Sequence, residues 1–196
     1  MLGAIGREHQ IPAPAESTCM EAFPFRATAQ SKQYDGIVEV PACFVLDRVR
    51  SLYNVGSLFR ICDGAGIRKL YLTGYTGYPP HRGISKTALG AEDSVSWEHQ
   101  ADADAVIDRL QASGHEVAVI ETSSRAVDLY DWRPRFPVCL VFGNEVDGVS
   151  PELAARADVH VRIPALGTKQ SLNVAVAGGV VAYELLRKYR ELHAGG

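Results

Sequence analysis

The stretch CLVFGNEVDGVSPEL, residues 139–153, joins an unbroken apolar run to a polar turn and then to a helix start. An apolar run with no polar face is typical of a strand that is covered by helices on both sides of a sheet. Ser150 and Pro151 are residue types preferred at the N-cap and at the first position of a helix, and Glu152 suits the first turn. A strand that leads at once into a helix predicts one unit of a parallel α/β sheet.

The same alternation continues on both sides of this stretch. Further strands are predicted at 43–49, 69–74, 95–99, 116–122 and 159–164, and helices at 54–66, 102–114, 150–157 and 171–192. The class is therefore α/β, with a parallel sheet flanked by helices. The first part of the chain has four prolines and no sustained periodicity, which predicts an N-terminal arm or small extension over 1–41 and one domain over 42–196.

Composition narrows the class of protein. The chain has 196 residues, 46% of them hydrophobic and 22% charged, as expected of one compact domain. No apolar run approaches the ~20 residues that cross a bilayer, and the N-terminus does not resemble a signal peptide, so we expect a cytoplasmic protein without a membrane partner. The four cysteines form no CxxC pair and the six histidines never stand at metal-ligand spacing, so we expect no metal.

Charge is unevenly spread along the chain. Residues 1–86 hold ten Lys and Arg against seven Asp and Glu, whereas residues 87–196 hold ten against sixteen. The first half is therefore basic although the whole chain has a formal charge of −3. A local basic face matters more for nucleic-acid binding than net charge does, so such a face in the first half remains compatible with an RNA partner.

In a parallel sheet, ligands bind beyond the carboxyl ends of the strands. The segments there contain no GxGxxG fingerprint, no P-loop and no GxSxG serine, which argues against an NAD-dependent oxidoreductase, a P-loop nucleotide site and a serine hydrolase. They contain instead the clusters NVGSLFR (54–60), FGNEVDG (142–148) and GTKQSLNV (167–174). Taken singly, Asn54 and Ser171 suit helix N-caps and Arg60 suits an exposed helix face.

In that order, the three clusters resemble the motifs of the SpoU/TrmH RNA 2′-O-ribose methyltransferases of the SPOUT superfamily. The resemblance runs from about residue 42 to 190, and SKTALGAEDSV (85–95) is similar to the segment that links the family's motifs. It implies a SPOUT-type fold with a C-terminal trefoil knot and a homodimer with the active site at the interface. It also implies S-adenosyl-L-methionine as cofactor and methylation of a ribose 2′-OH in structured RNA, either tRNA or rRNA.

The resemblance also implies site residues. For the cofactor these are Glu121, Thr122, Leu140, Gly143, Asn144, Ile163, Leu166, Ser171 and Leu172, and for catalysis Asn54, Arg60, Glu145, Ser171 and Asn173. Arg60 would bind phosphate and stabilise the developing alkoxide, with base action left open, since a guanidinium is almost always protonated. Glu145 would either orient Arg60 or bind backbone amides. Gly143 and Gly167 would allow a close approach to the cofactor.

Two further expectations concern partners. RNA contacts are expected at Arg48, Arg50, Arg82, Lys86 and Lys169. The pair Gly178-Gly179 in the last helix must allow a close approach, either by a partner helix in a dimer or by the core of the same chain. A non-catalytic RNA-binding or assembly protein with the same fold is the alternative function, and the intact motif residues argue against it.

Overall fold

Seven parallel strands form the sheet that carries the predicted site. In the computed structural model, which describes residues 36–37 and 39–193, the strands are β1 (Ala42–Asp47), β2 (Lys69–Thr73), β3 (Ser96–Gln100), β4 (Glu116–Ile120), β5 (Val127–Asp128), β6 (Val138–Phe142) and β7 (Val159–Arg162). Their order is β3-β2-β1-β6-β4-β7-β5, and every neighbouring pair is parallel. The predicted α/β class is confirmed, and β5 is an addition to the predicted strands.

The predicted arm over 1–41 lies almost wholly outside the described residues, as does Cys19. The boundary at residue 42 therefore stays a prediction.

Six helices accompany the strands in the described part of the chain: α1 (Leu52–Ala65), α2 (Arg82–Ala88), α3 (Ala91–Ser94), α4 (Ala103–Ala112), α5 (Pro151–Ala155) and α6 (Val174–His193), of which α6 follows the last strand. The short helices α2 and α3 occupy a region in which the sequence predicted only a linking segment. Helix α6 begins at Val174 and not at residue 171, because the Asn173 Oδ1 accepts hydrogen bonds from the amides of Ala175 (3.0 Å) and Val176 (3.3 Å). Asn173 thus caps this helix.

Both faces of the central strands are buried. Phe44 and Leu140 point into a core beneath α1 and α6, whereas Cys43 and Cys139, their chain neighbours, point into a second core beneath α4 and α5. Because successive side chains of a strand point to opposite faces, a strand buried on both sides must be apolar throughout. This accounts for the unbroken apolar run with which the motif around Gly143 begins.

Helix α6 crosses α1 closely at Gly178. A Cβ atom at Gly178 would stand 2.3 Å from Leu58 Cδ2 and 3.7 Å from Phe44 Cε2, whereas at Gly179 it would stand 3.7 Å from Ile61 Cδ1, an ordinary contact distance. Of the two predicted alternatives, packing within the same chain is therefore confirmed for Gly178. Across residues 36–37 and 39–193, no helix is both long and apolar enough to span a bilayer.

Candidate functional site

A cleft with two lobes lies beyond the carboxyl ends of β4, β6 and β7. The first lobe, of ≈ 310 Å³, is lined by residues 162–167 and 169–172, and the second, of ≈ 660 Å³, by residues 142–149 and 170–174. The lobes share residues 120–122, 170–172 and Ala177. These volumes are in the range of small-molecule sites. Except for Leu140, every residue predicted to bind the cofactor lines the cleft.

Leu140 lies elsewhere. It is fully buried in the middle of β6, where it pairs in register with Phe44 of β1 and Ala118 of β4. The segment that begins at Gly143 lines the cleft, whereas Leu140 packs in the core three residues earlier. Its placement is that of a packing residue.

The loop from Gly143 to Val149 is closed on itself by Asn144. The backbone amides of Asn144 and Gly148 donate to each other's carbonyl oxygens at 3.0 and 2.9 Å. The Asn144 Oδ1 accepts from the amides of Val146 (2.7 Å) and Asp147 (3.0 Å). Asn144 is also 5% exposed, so its side chain shapes the wall of the cleft from within the loop.

The Nδ2 group of Asn144 ties this loop to the ends of two other strands. It donates to the carbonyl oxygen of Arg48 at 3.0 Å and to the hydroxyl oxygen of Tyr75 at 2.8 Å. Tyr75 did not figure among the predicted site residues. A signal existed, because Tyr75 directly follows Gly74 at the carboxyl end of β2, where ligand-binding segments are expected.

Two glycines allow the loop to fold this tightly. A Cβ atom at Gly143 would stand 2.2 Å from the carbonyl carbon of Gly148, and one at Gly148, whose φ is +70°, would stand 2.4 Å from Glu121 Oε2. The close approach at Gly143 is thus to the chain's own backbone, which the sequence did not predict. At Gly167 nothing lies within 4 Å of a Cβ position, so the predicted approach of a cofactor there remains a prediction.

Glu121 supports the same loop from β4. Its Oε1 accepts from the amide of Thr122 at 2.9 Å, and its Oε2 accepts from the amide of Val149 at 3.3 Å. The carboxylate therefore links residues 121–122, which line both lobes, to Val149 at the end of the loop.

Three side chains from distant parts of the sequence meet at the mouth of the second lobe. Asn54 Nδ2 donates to Glu145 Oε1 at 2.9 Å, and Asn173 Nδ2 donates to Asn54 Oδ1 at 3.2 Å. These residues are 91 and 119 positions apart in the chain. The structure thus joins one residue from each predicted motif in a single hydrogen-bonded row, with Ser171 in the adjacent loop lining both lobes.

The Glu145 carboxylate binds the start of α1. It accepts from the amides of Arg50 (3.0 Å) and Ser51 (3.1 Å), where the partial positive charge of a helix N-terminus favours an anion. Burial raises the pKa of Glu145, but the hydrogen bonds from Arg50, Asn54 and Ser51 outweigh that effect and hold the pKa below its ordinary value. Of the two predicted alternatives, the binding of backbone amides is the one observed.

Arg60 lies apart from this row. It is exposed on α1 and lines a separate depression of ≈ 450 Å³ together with Ser57, Lys86, Leu89 and Tyr183, none of which borders the cleft. Within residues 36–37 and 39–193 it makes no hydrogen bond or ion pair, so Glu145 of the same chain does not contact it.

The predicted RNA contacts divide into two groups. Arg50, Arg82, Lys86 and Lys169 are exposed. Arg48 is half-buried with a φ of +54°, and its Nε donates to the buried carboxylate of Asp47 at 2.9 Å. The backbone of Arg48 joins the strand ends, since its amide donates to the carbonyl oxygen of Thr73 at 3.2 Å and its carbonyl oxygen accepts from Asn144 Nδ2 at 3.0 Å. In the described part of the chain, no group of three His, Cys, Asp or Glu side chains could hold a metal ion.

The fold and the site together define a parallel α/β protein with a small-molecule cleft at the carboxyl edge of its sheet. Residues 41–183 match the SpoU rRNA Methylase family, and the chain therefore belongs to that family. The predicted membership is confirmed.

Known proteins of this kind are similar over most of the chain. It is 31% identical over 147 residues to the tRNA (guanosine(18)-2′-O)-methyltransferase of Escherichia coli K12, which covers 73% of this chain and 62% of that protein. The A. aeolicus TrmH/SpoU tRNA modifying enzyme superposes with a TM-score of 0.72 at 28% identity, covering 79% of this chain and 78% of the other. An AdoMet-bound rRNA methyltransferase from Sinorhizobium meliloti superposes with a TM-score of 0.70 at 31% identity, covering 74% of this chain and 56% of the other. The chain thus spans about three fifths of the length of its E. coli relative.

Proposed function

We propose that this protein transfers the methyl group of S-adenosylmethionine to a ribose 2′-OH in structured RNA, tRNA or rRNA. The observation that carries the proposal is the row Glu145–Asn54–Asn173 at the mouth of the cleft, which joins all three motifs. The E. coli relative is named a tRNA 2′-O-methyltransferase, and the S. meliloti structure holds AdoMet. These names support the same reaction and cofactor.

The cleft fits this cofactor. The first lobe offers the apolar side chains of Ile120, Ile163 and Leu172 to a flat base, and the open space at Gly167 leaves backbone groups approachable. The second lobe, closed by the Asn144 loop, provides room for a polar tail. When bound, S-adenosylmethionine supplies a methyl group on a positively charged sulfur. The cofactor would be held by residues 120–122, 143–144, 163–166 and 171–172.

The residues of the chain would serve mainly to position the ribose. A 2′-hydroxyl has a pKa far above neutrality, so alignment and stabilisation of the emerging alkoxide must provide most of the rate. The Asn54 side-chain amide donates to Glu145 and accepts from the side-chain amide of Asn173. These two hydrogen bonds hold both side-chain amides in one orientation at the mouth of the cleft. Ser171 would hold the last loop. Arg60 would bind an RNA phosphate and stabilise the alkoxide as a permanent cation.

A homodimer is part of the proposal. Arg60 lies outside the cleft of its own chain, which supports an arrangement in which a second copy supplies this guanidinium to the cleft. The SPOUT-type trefoil knot is also proposed. It is supported by the strand order, in which β6 and β7 lie on opposite sides of β4. We place the protein in the cytoplasm and its RNA along Arg50, Arg82, Lys86 and Lys169.

Methyl transfer tests the proposed function. The protein is incubated with methyl-labelled S-adenosylmethionine and bulk tRNA or rRNA, and digested nucleosides are identified by mass spectrometry. A labelled 2′-O-methyl nucleoside is expected. Arg60→Ala and Asn173→Ala should lose most of the transfer, whereas Arg133→Ala, which removes another exposed arginine, should retain it. Cofactor binding without transfer to either RNA would favour the alternative of a non-catalytic RNA-binding protein.

Mixing inactive variants tests the shared site. If a second copy supplies Arg60, random dimers of Arg60→Ala and Asn173→Ala should regain about a quarter of the wild-type activity, because half are mixed and each mixed dimer holds one intact site. If Arg60 acts within its own chain, both sites of a mixed dimer are defective and no activity returns. Absence of recovery from a dimer shown to be mixed would overturn this arrangement.

A further inference from the structure

Three exposed tyrosines surround the start of α1. The exposed fractions of Tyr53, Tyr75 and Tyr78 are 52%, 59% and 48%. Tyr53 belongs to the first turn of α1, and the loop that carries the other two packs on the same turn, since a Cβ atom at Gly77 would stand 2.3 Å from Leu52 Cδ2. We call Tyr53, Tyr75 and Tyr78 the tyrosine surface. None of its members belongs to the buried core clusters of the sheet.

The loop that carries Tyr75 and Tyr78 is held firmly. Thr76, 1% exposed, donates its hydroxyl to the carbonyl oxygen of Leu46 at 2.9 Å and accepts from the amide of Val49 at 2.9 Å. The ring of Tyr78 stacks on Trp97 with centroids 6.0 Å apart and packs on His99 at 4.3 Å. With Thr76 buried between them, both tyrosine rings stay on the surface in fixed positions, which lowers the entropy cost of binding a flat partner.

The tyrosine surface adjoins the candidate reaction centre. The hydroxyl oxygen of Tyr75 accepts from Asn144 Nδ2 at 2.8 Å, and Asn144 directly precedes Glu145. Tyr53 directly precedes Asn54. A ligand on these rings would therefore lie beside the row Glu145–Asn54–Asn173.

The charge around these rings favours a polyanion. Arg50, Arg82 and Lys86 are exposed at this end of the sheet, and Lys86 Nζ stands 5.9 Å from the ring centroid of Tyr53. The carboxylates of Asp47 and Glu145 are already engaged by hydrogen bonds within the chain. Fixed aromatic rings interleaved with cations are what unpaired nucleic-acid bases and their phosphates bind.

We propose that Tyr75 and Tyr78 form a stacking platform for unpaired RNA bases next to the methylated nucleotide, with phosphates held by the neighbouring cations. The proposal rests on the proposed function and deepens it. It assigns to the substrate a single-stranded or splayed segment at the target, because bases inside a duplex present no free face.

Binding measurements test the platform. Fluorescence anisotropy of the full chain with a labelled single-stranded RNA oligonucleotide, and with unmodified bulk tRNA as competitor, gives the affinity. Tyr75→Ala and Tyr78→Ala should each weaken binding by about 5- to 150-fold, the effect of losing one base–aromatic stack. Tyr75→Phe keeps the ring but loses the bond to Asn144, and its affinity should stay within about twofold of wild type. Tyr130→Ala, at a tyrosine that is 61% exposed elsewhere, serves as the matched control and should bind normally.

The outcomes separate the platform from the enzyme. If methyl transfer is present and Tyr78→Ala, at a ring with no bond to the Asn144 loop, raises the KM for RNA with little change in kcat, the platform is supported. If transfer is present and both alanine variants retain wild-type RNA affinity, the platform is wrong and the proposed function stands. A change in oligomeric mass without a change in RNA affinity would assign the tyrosine surface to a protein interface and likewise overturn the proposal.

A second measurement does not depend on the variants folding. Ultraviolet cross-linking of the unmodified protein to the same RNA, followed by mass spectrometry of the peptides, should mark Tyr75 or Tyr78. Cross-links confined to other segments would contradict the platform.

Discussion

The neighbouring glycines of α6 allow a matched test of the packing between α1 and α6. Gly178→Ala and Gly179→Ala are the same chemical change in the same helix turn, so the gain in helix propensity, about 1 kcal/mol, is common to both. The new methyl group at 178 would stand 2.3 Å from Leu58 Cδ2, whereas at 179 it would stand 3.7 Å from Ile61 Cδ1. Leu58 is fully buried, so its Cδ2 must shift within the packed core, and only the first change creates overpacking.

Overpacking of a well-packed core costs about 1–3 kcal/mol. Gly179→Ala should therefore stabilise the protein by about 1 kcal/mol, and Gly178→Ala should be less stable than Gly179→Ala by about 1–3 kcal/mol. Urea unfolding followed by circular dichroism measures both, with unchanged slopes showing that the denatured state is comparable. Equal midpoints for the two variants, or a higher midpoint for Gly178→Ala, would refute the packing argument.

Three other predictions concern the site and its surroundings. Gly143→Ala should destabilise the protein by about 1–3 kcal/mol and abolish binding of S-adenosylmethionine in calorimetry, since its methyl group meets backbone atoms 2.2–2.3 Å away. Glu145 has a lowered pKa, so its carboxylate stabilises the fold above the ordinary value of 4.5, and that contribution is lost as pH falls through the lowered pKa. The difference in unfolding free energy between wild type and Glu145→Gln should therefore be largest at neutral pH and should shrink as the solution is made acidic. Lys188→Met should cost about 1–3 kcal/mol and speed trypsin cleavage after Arg133, because the buried ammonium donates to the carbonyl oxygens of Leu129 (2.7 Å) and Trp132.

Each of these has a control and a contradicting result. Gly167→Ala, at an open position, should leave stability unchanged, and a loss equal to that of Gly143→Ala would show that the clash is not the cause. For Glu145, a gap of the same size at about pH 3 and at neutrality would refute the hydrogen-bonding account of its lowered pKa. For Lys188, Arg187→Met changes an exposed neighbour as the control. A Lys188 variant with wild-type stability and cleavage rate would show that the carbonyl oxygens do not depend on the ammonium.

Local sequence patterns were sufficient for most elements of the sheet. The apolar runs at β1, β4 and β6 predicted strands buried on both faces, and Ser150-Pro151 predicted the start of α5. The region 82–94 was not predicted to be helical, because α2 and α3 are 7 and 4 residues long and contain few apolar residues. Such short helices are stabilised by contacts. A Cβ atom at Gly56 of α1 would stand 2.2 Å from the carbonyl oxygen of Ile84 in α2, so this glycine admits α2.

The sequence by itself determined the α/β class, the edge of the sheet at which the candidate cleft lies and, through the three motifs, the family. These depend on residue types at short spacing, which the sequence displays directly. Only the tertiary structure decided how the polar groups are used: Glu145 binds the start of α1, Asn144 closes its loop and reaches Tyr75, and Gly178 admits Leu58. The partner of a side chain depends on which distant segments meet in the fold. Contacts between residues 69 or 95 positions apart produce no periodic pattern in the sequence.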